Sequence, residues 1–247
     1  TYGPVCVDSA DDVELSEVQG IDVPEEWVRT TLGQLAATAK GAIVSGPFGS
    51  NIGKRFFVDH GVPLIRGGNL TKGEVELVEK GFVYITEDKA LELANCEALP
   101  HDLVFTAAGT IGQVGIIPSK GRYQRYIISN KQLRARLDET RVLPRFVFYW
   151  FAQDRMQRLL TGRRRGSSIP VINLGVLREL PVGFPDLNQQ QVIVRQLDSV
   201  SAKIAAEEDH KRALEQLFNT LLNDLMTAKI RVNDLELGEV DHDEVGR

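Results

Sequence analysis

The sequence predicts an α+β protein: a mixed α/β globular domain with a short-stranded, curled sheet, followed by a long α-helix that forms an antiparallel coiled coil. Three observations predict it. Short β-branched and aromatic stretches between Gly41 and Leu137 alternate with glycine-rich turns, as strands do. Helical stretches are interspersed without the regular strand-helix-strand alternation of a parallel sheet. From Ile193 to Leu225, apolar residues recur in a strict 4-3 spacing that keeps one seam facing a partner helix.

Residues 1–22 are acidic and poorly periodic, and read as a tail or linker. A globular segment is expected over residues 23–187. It opens at Val23-Pro24-Glu25-Glu26-Trp27, where Pro24 starts a turn and Trp27 anchors it. Thr31 to Thr38 is read as a short helix capped by Thr30 or Thr31. The strand candidates are Pro63–Arg66, Phe82–Ile85, Asp102–Thr106, Val114–Ile117, Tyr126–Ile128 and Gln132–Leu137. The last alternates apolar and polar residues as a half-buried strand does. Thr86 caps a helix from Glu87 to Leu93, with Asp88 and Lys89 on its solvent face. Pro144 begins a helix running from Arg145 to Leu160, with Phe146, Tyr149, Trp150, Met156 and Leu159 on its buried side. Asn173 caps a short helix to Glu179, and Leu180–Pro185 is extended because each proline pushes its predecessor out of the α region.

Residues 188–232 are assigned to the long helix. Its ladder runs Ile193, Leu197, Val200 and Ile204, then Leu214, Phe218, Leu221 and Leu225. Glu207 and Lys211 occupy the two middle rungs. A helix over Gln189–Ala228 would reach roughly 60 Å at 1.5 Å per residue, which predicts that much of it packs on something other than the domain before it. The ladder is symmetric about residue 209, so two identical helices running antiparallel would bring Glu207 of one near Lys211 of the other. The ordinary alternative is a Glu-to-Lys pair at i, i+4 supporting a solvated helix. Residues 233–247 form a second acidic tail.

The charge is unevenly spread. The chain has 34 acidic and 29 basic residues; the two ends (1–27 and 233–247) take 14 of the first and one of the second. That leaves 28 cations against 20 acids between 28 and 232, a footprint suited to nucleic acid. No apolar run is long enough to span a membrane, and Cys6 and Cys96 have no metal-like spacing and are expected as reduced thiols in a cytoplasm. Catalytic signatures are missing as well. Gly41–Ser50 lacks the Gly-Lys-Ser/Thr ending of a phosphate loop, and no G-x-G-x-x-G follows a strand. The four histidines are isolated, so neither a metal site nor a bound cofactor is expected.

Candidate DNA contacts lie in basic turns. The densest is Gly162–Ile169, with Arg163, Arg164 and Arg165 in succession and Ser167 and Ser168 beside them. Clustered guanidiniums call for anionic partners, and arginine and serine can bind phosphate or base edges. A second group is Asn51, Lys54 and Arg55 with Arg66 and Asn69, a third is Arg122, Tyr123 and Arg125, and Thr110 sits in the Gly109–Gly112 turn. Each alone is also consistent with a solvated turn or with strand packing.

In order, these motifs resemble the specificity subunit of a Type I restriction-modification system over roughly residues 23–237. The sharpest segments are Ile172–Leu177, Leu180–Val182 and Pro185-Asp186-Leu187-Asn188-Gln189-Gln190-Gln191-Val192-Ile193; Val23–Trp27, Gly46–Ser50, Pro63–Arg66, Asp102–Thr106, Gly109–Gly112 and Ala228–Val232 also match. Gln189 stands where the family usually has Glu, which removes a charge at the helix start. The resemblance implies a non-catalytic subunit, with residues 23–187 as a target recognition domain and 188–232 as a spacer and dimerisation helix. Such a subunit reads half of a bipartite site in double-stranded DNA. It recruits a methyltransferase subunit, which carries the S-adenosylmethionine, and a restriction subunit. The chain corresponds to one such unit, either a homodimerising half-subunit or half of a longer protein. The alternatives are the recognition half of a fused Type II-like methyltransferase-nuclease, and an adaptor that binds DNA non-specifically.

Overall fold

The computed structural model describes residues 23–161, 172–227 and 229–230. The chain divides into two compact units, one ending at Arg195 and one beginning at Gln196.

Among the described residues the first unit contains three small sheets of short strands. β1 (Val28–Thr31) pairs antiparallel with β11 (Pro181–Phe184), placing Val28 opposite Phe184. Four strands form the order β2-β10-β7-β8, with β2 at Ile43–Ser45, β7 at Leu103–Thr106, β8 at Val114–Ile116 and β10 at Gln132–Ala135. Five form the order β3-β5-β4-β9-β6, with β3 at Phe57–Val58, β4 at Val62–Ile65, β5 at Val83–Ile85, β6 at Glu97–Ala98 and β9 at Tyr126–Ile128. Its neighbours β4 and β9 run parallel. The six predicted strands are all present. The helix expected over Thr31–Thr38 is instead a single 3-10 turn, Leu32–Leu35, because Val28–Thr31 is drawn into the ladder with β11.

Helix α1 (Glu87–Glu92) is capped by Thr86, whose hydroxyl accepts from Lys89 N at 3.2 Å. Lys89 is not on the solvent face: its ammonium lies 4.2 Å from the Phe56 ring centre and its side chain is mostly covered. The expected Arg145–Leu160 helix is two, α2 (Pro144–Ala152) and α3 (Asp154–Thr161), separated at the extended Gln153. Phe146, Trp150 and Met156 are buried, while Tyr149 and Leu159 are half-buried against the same core. In α4 (Leu174–Glu179), Asn173 caps as expected, accepting from Val176 N at 2.9 Å.

Strand β10 is buried on both faces, which corrects the half-buried reading. Leu133 and Ala135 enter a core shared with α2, α3 and α4. Arg134 stands opposite Val104, which belongs to the second core, built around the five-stranded sheet. Asp102, 1% exposed, makes that placement tolerable. Its carboxylate accepts from Arg136 Nε at 2.8 Å and Nη2 at 2.7 Å, from Leu99 N at 2.9 Å, and from Arg134 Nη1 at 3.5 Å. Arg134 also donates to the Gly41 carbonyl. Burial lowers the Arg134 pKa, whereas the hydrogen bonds to Asp102 raise that of Arg136. A buried cation is costly unless paired.

Helix α5 (Leu187–Met226) is one continuous helix of 40 residues. Asp186 caps its start, Oδ1 accepting from Gln189 N at 3.0 Å, so an acceptor carboxylate is present at the helix start even though residue 189 is Gln. The fully buried Gln190 fixes the first turns within the first unit. Its Oε1 accepts from Leu143 N at 2.8 Å, and its Nε2 donates to Pro185 O at 2.8 Å. Val194 is buried and Ile193 packs on the same core. In the second unit the ladder residues are exposed, from Leu225 at 36% to Phe218 at 64%. Lys211 pairs with Glu215 at 3.8 Å, not with Glu207.

Replacing Asp102 with Ala leaves Arg134 buried without its counter-charge. Urea denaturation of Asp102→Ala is expected to show a loss of about 3–5 kcal/mol, with Asp102→Asn losing less because it keeps a hydrogen-bond acceptor.

Candidate nucleic-acid interface

The parallel strands β4 and β9 end together, and β7 and β10 meet them where the chain crosses between the two larger sheets. Ser129 N, just past β9, donates to Ile65 O at 2.9 Å, and Ala107 N, just past β7, donates to Lys131 O at 2.8 Å. These strand ends frame a cleft of about 580 Å³. Its walls are three turns, Arg66–Asn69, Ala108–Thr110 and Ser129–Gln132, with Lys80-Gly81 alongside. Exposed Arg66, Lys80 and Lys131 line it, and no aspartate or glutamate is among the described lining residues. A cation-lined concavity without carboxylates attracts polyanions.

Each wall is held from beneath. Gln113 Nε2 donates to Gly67 O at 3.0 Å and Leu70 O at 2.7 Å, while its Oε1 accepts from Thr106 Oγ1 at 3.0 Å. Asn69 Oδ1 accepts from Arg66 N at 3.0 Å, and its Nδ2 donates to Val78 O and Lys80 O, both at 3.0 Å. The 109–112 turn needs its glycines, since Gly109 and Gly112 have φ of +100° and +93°. Gly46 packs against the third wall; a Cβ there would lie 1.8 Å from Ser129 O.

The predicted contacts divide accordingly. Arg66 and Thr110 are exposed and share the cleft. Asn69 is 3% exposed with its amide fully used inside the turn, so it braces the wall, which corrects its reading as a contact residue. Asn51, Lys54 and Arg55 are exposed on successive 3-10 turns, Gly49–Asn51 and Lys54–Phe56. The first of these abuts the cleft, because a Cβ on Gly49 would lie 3.4 Å from Asn130 Nδ2. The third cluster does not line it. Arg125, expected as a DNA contact, is instead paired within the protein, with Glu87 and, at 3.2 Å, with Glu97. Tyr123 bonds Tyr84 hydroxyl to hydroxyl at 2.9 Å and packs on Phe82 and Tyr126, and the bond to Tyr84 raises its pKa. Arg122 is exposed, with its guanidinium 5.4 Å from the Tyr123 ring centre. Arg163, Arg164, Arg165, Ser167 and Ser168 lie outside the described residues.

Sequence reasoning missed Lys80, Asn130, Lys131 and Gln113. Asn130 and Lys131 stand in the short gap between two predicted strands, a turn signal that was available. Nothing local marks Gln113 as a brace, since the two carbonyls that it holds, those of Gly67 and Leu70, are more than forty residues away. Among the described residues no group of three or more His, Cys, Asp or Glu is placed to hold a metal, and no helix is long and apolar enough to cross a membrane.

The family profile described as "Type I restriction modification DNA specificity domain" matches residues 24–216. The chain is 24% identical over 194 residues to the Type I restriction enzyme EcoBI specificity subunit of Escherichia coli, covering 77% of this chain and 38% of that protein. It is 25% identical over 211 residues to the putative type I restriction enzyme MjaX specificity subunit of Methanocaldococcus jannaschii, covering 85% and 45%. The chain thus spans less than half the length of these curated relatives. Its fold is similar to a solved chain of a type I R-M system (TM-score 0.58, 16% identity, 85% of this chain and 49% of that one). It is also similar to the Type I restriction-modification S subunit from M. genitalium (TM-score 0.55, 14% identity, 84% and 48%).

Gln113→Ala removes the support of one cleft wall and strands two carbonyls. Chemical denaturation should show a loss of about 1–3 kcal/mol, and hydrogen exchange should quicken at Leu70 and Asn69 while β9 keeps its protection.

Proposed function

The chain belongs to the Type I restriction modification DNA specificity domain family, and from that membership we propose that it is a non-catalytic DNA reader. It binds one half of a bipartite double-stranded site and brings a separate, S-adenosylmethionine-dependent adenine methyltransferase subunit to it. A restriction subunit joins the same complex, in the cytoplasm. The observation that carries this reading is the acid-free cleft at the ends of β4, β7 and β9, where Arg66, Lys80 and Lys131 converge on one rigid frame. Phosphates seated on such cations set the register, and neighbouring polar side chains such as Thr110 and Asn130 then reach base edges. Arg163, Arg164, Arg165, Ser167 and Ser168 are retained as contacts in this proposal, with Asn51, Lys54, Arg55 and Arg122 as outer phosphate ligands. The family match favours a specificity subunit over the recognition half of a fused methyltransferase-nuclease or a non-specific adaptor.

We further propose that the exposed ladder of α5 pairs with the same helix of a second copy, antiparallel about residue 209. The apolar rungs Leu197, Val200 and Ile204 of one copy then face Leu221, Phe218 and Leu214 of the other. Glu207 of each copy approaches Lys211 of its partner.

Sequencing of methylated adenines in cells with and without the gene should reveal a split motif that disappears on deletion. Methylation that is unchanged by deletion would end the proposal. For the helix, light scattering should find a dimer for the native chain and for the double variant Glu207→Lys with Lys211→Glu. Either reversal alone is expected to shift the equilibrium toward monomer, and a native chain that stays monomeric would overturn the pairing.

A further inference from the structure

Among the described residues, Phe48 is the most exposed large apolar side chain, at 86%. Its surroundings set it apart from an incidental surface residue. Pro47 before it is buried, and its ring restricts the backbone there. Gly46 is locked onto the wall of the cleft, donating from N to Gln132 O at 2.9 Å and touching Ser129 so closely that no side chain fits. On the other side, Asn51 N donates to Phe48 O at 2.8 Å and Arg55 Nη2 donates to Ser50 O at 3.0 Å. Ile52, 5% exposed, supplies the apolar anchor of the turn. The backbone is therefore held on both flanks while the ring points into solvent and adds little to the core. Lys54 and Arg55 are exposed on the 3-10 turn that follows, and Gly49, next to Phe48 in the chain, adjoins Asn130 at the edge of the cation-lined cleft.

We propose that Phe48 is a wedge: when the cleft and the turn cations hold the phosphates of a duplex, its ring inserts at a base step and partly unstacks it. Apolar rings presented beside phosphate-binding cations do this in DNA-bending proteins. A ring on a pre-ordered turn loses little conformational freedom on insertion. Such a contact adds sequence preference through the ease of unstacking, without a hydrogen bond to a base. The inference rests on the DNA-reading function proposed above.

The test uses the full chain and a short duplex carrying the sequence that the chain enriches from a random pool, with 2-aminopurine substituted at successive positions. The native chain should raise the fluorescence of one step on binding. Phe48→Ala should fold normally by circular dichroism, bind about 5- to 100-fold more weakly, and lose the fluorescence rise, while Phe48→Trp restores both. Because the ring is uncharged, the salt dependence of Phe48→Ala binding should keep the native slope, whereas Lys131→Ala should flatten it. A Phe48→Ala chain that still produces the native fluorescence rise would overturn the wedge and leave the DNA-reading function standing. A native chain that enriches no sequence and binds no duplex would refute the DNA-reading function itself, and the wedge with it.

Discussion

A single carboxylate, that of Asp102, determines how the two larger sheets can meet. Strand β10 carries Arg134 and Gln132 on the face that looks toward the second core, a position that would ordinarily exclude them. Asp102 neutralises the buried guanidinium and ties Arg136 to the same point, so β7 and β10 stay in register while one face of each serves the first core and the other the second. With the sheets so joined, β9 can leave one and β10 enter the other within three residues. The ends of β4, β7 and β9 then open onto the same cleft. The geometry of the candidate interface is a by-product of that crossing.

Much of this was legible in the sequence, and the failures have identifiable physical causes. Strands with runs of β-branched residues were visible, as were the helices introduced by Thr86, Asn173 and Pro144, because in each case the signal is local. The alternation in Gln132–Leu137 was also visible, yet it was taken for a wet face because the partner that buries Arg134 lies thirty-two residues away. The pairing of Arg125 is hidden for the same reason: Glu87 is thirty-eight residues distant in the chain. Strand β1 pairs with β11, about 150 residues later, and the β-branched Val28, Thr30 and Thr31 favour an extended chain without indicating that partner. Site residues followed the same rule. Arg66 and Thr110 are marked by glycine turns, while Gln113 is not, since the carbonyls of Gly67 and Leu70 are brought to it by the fold.

The helix α5 shows how one periodic pattern can serve two purposes. Its ladder is continuous from Ile193 onward, but Ile193 packs on the first unit's core, and the buried amide of Gln190 and the buried Val194 fix the turn around it. Only from Leu197 on do the rungs remain exposed. The 4-3 repeat therefore records a helix whose root is structural and whose remaining length presents an apolar seam. The amide of Gln190 accepts from one element and donates to another, and this pins the root where periodicity alone would permit a slide along the axis.

The pairing of β1 with β11 has a further consequence. Val28, where the chain enters the first unit, stands opposite Phe184, where it is about to leave. In an antiparallel ladder such partners are about 5 Å apart. Everything between them, both sheets and the cleft included, is an excursion that departs from and returns to one point. A replacement for that segment would have to match two adjacent strand ends and the core surface that receives Gln190, Ile193 and Val194.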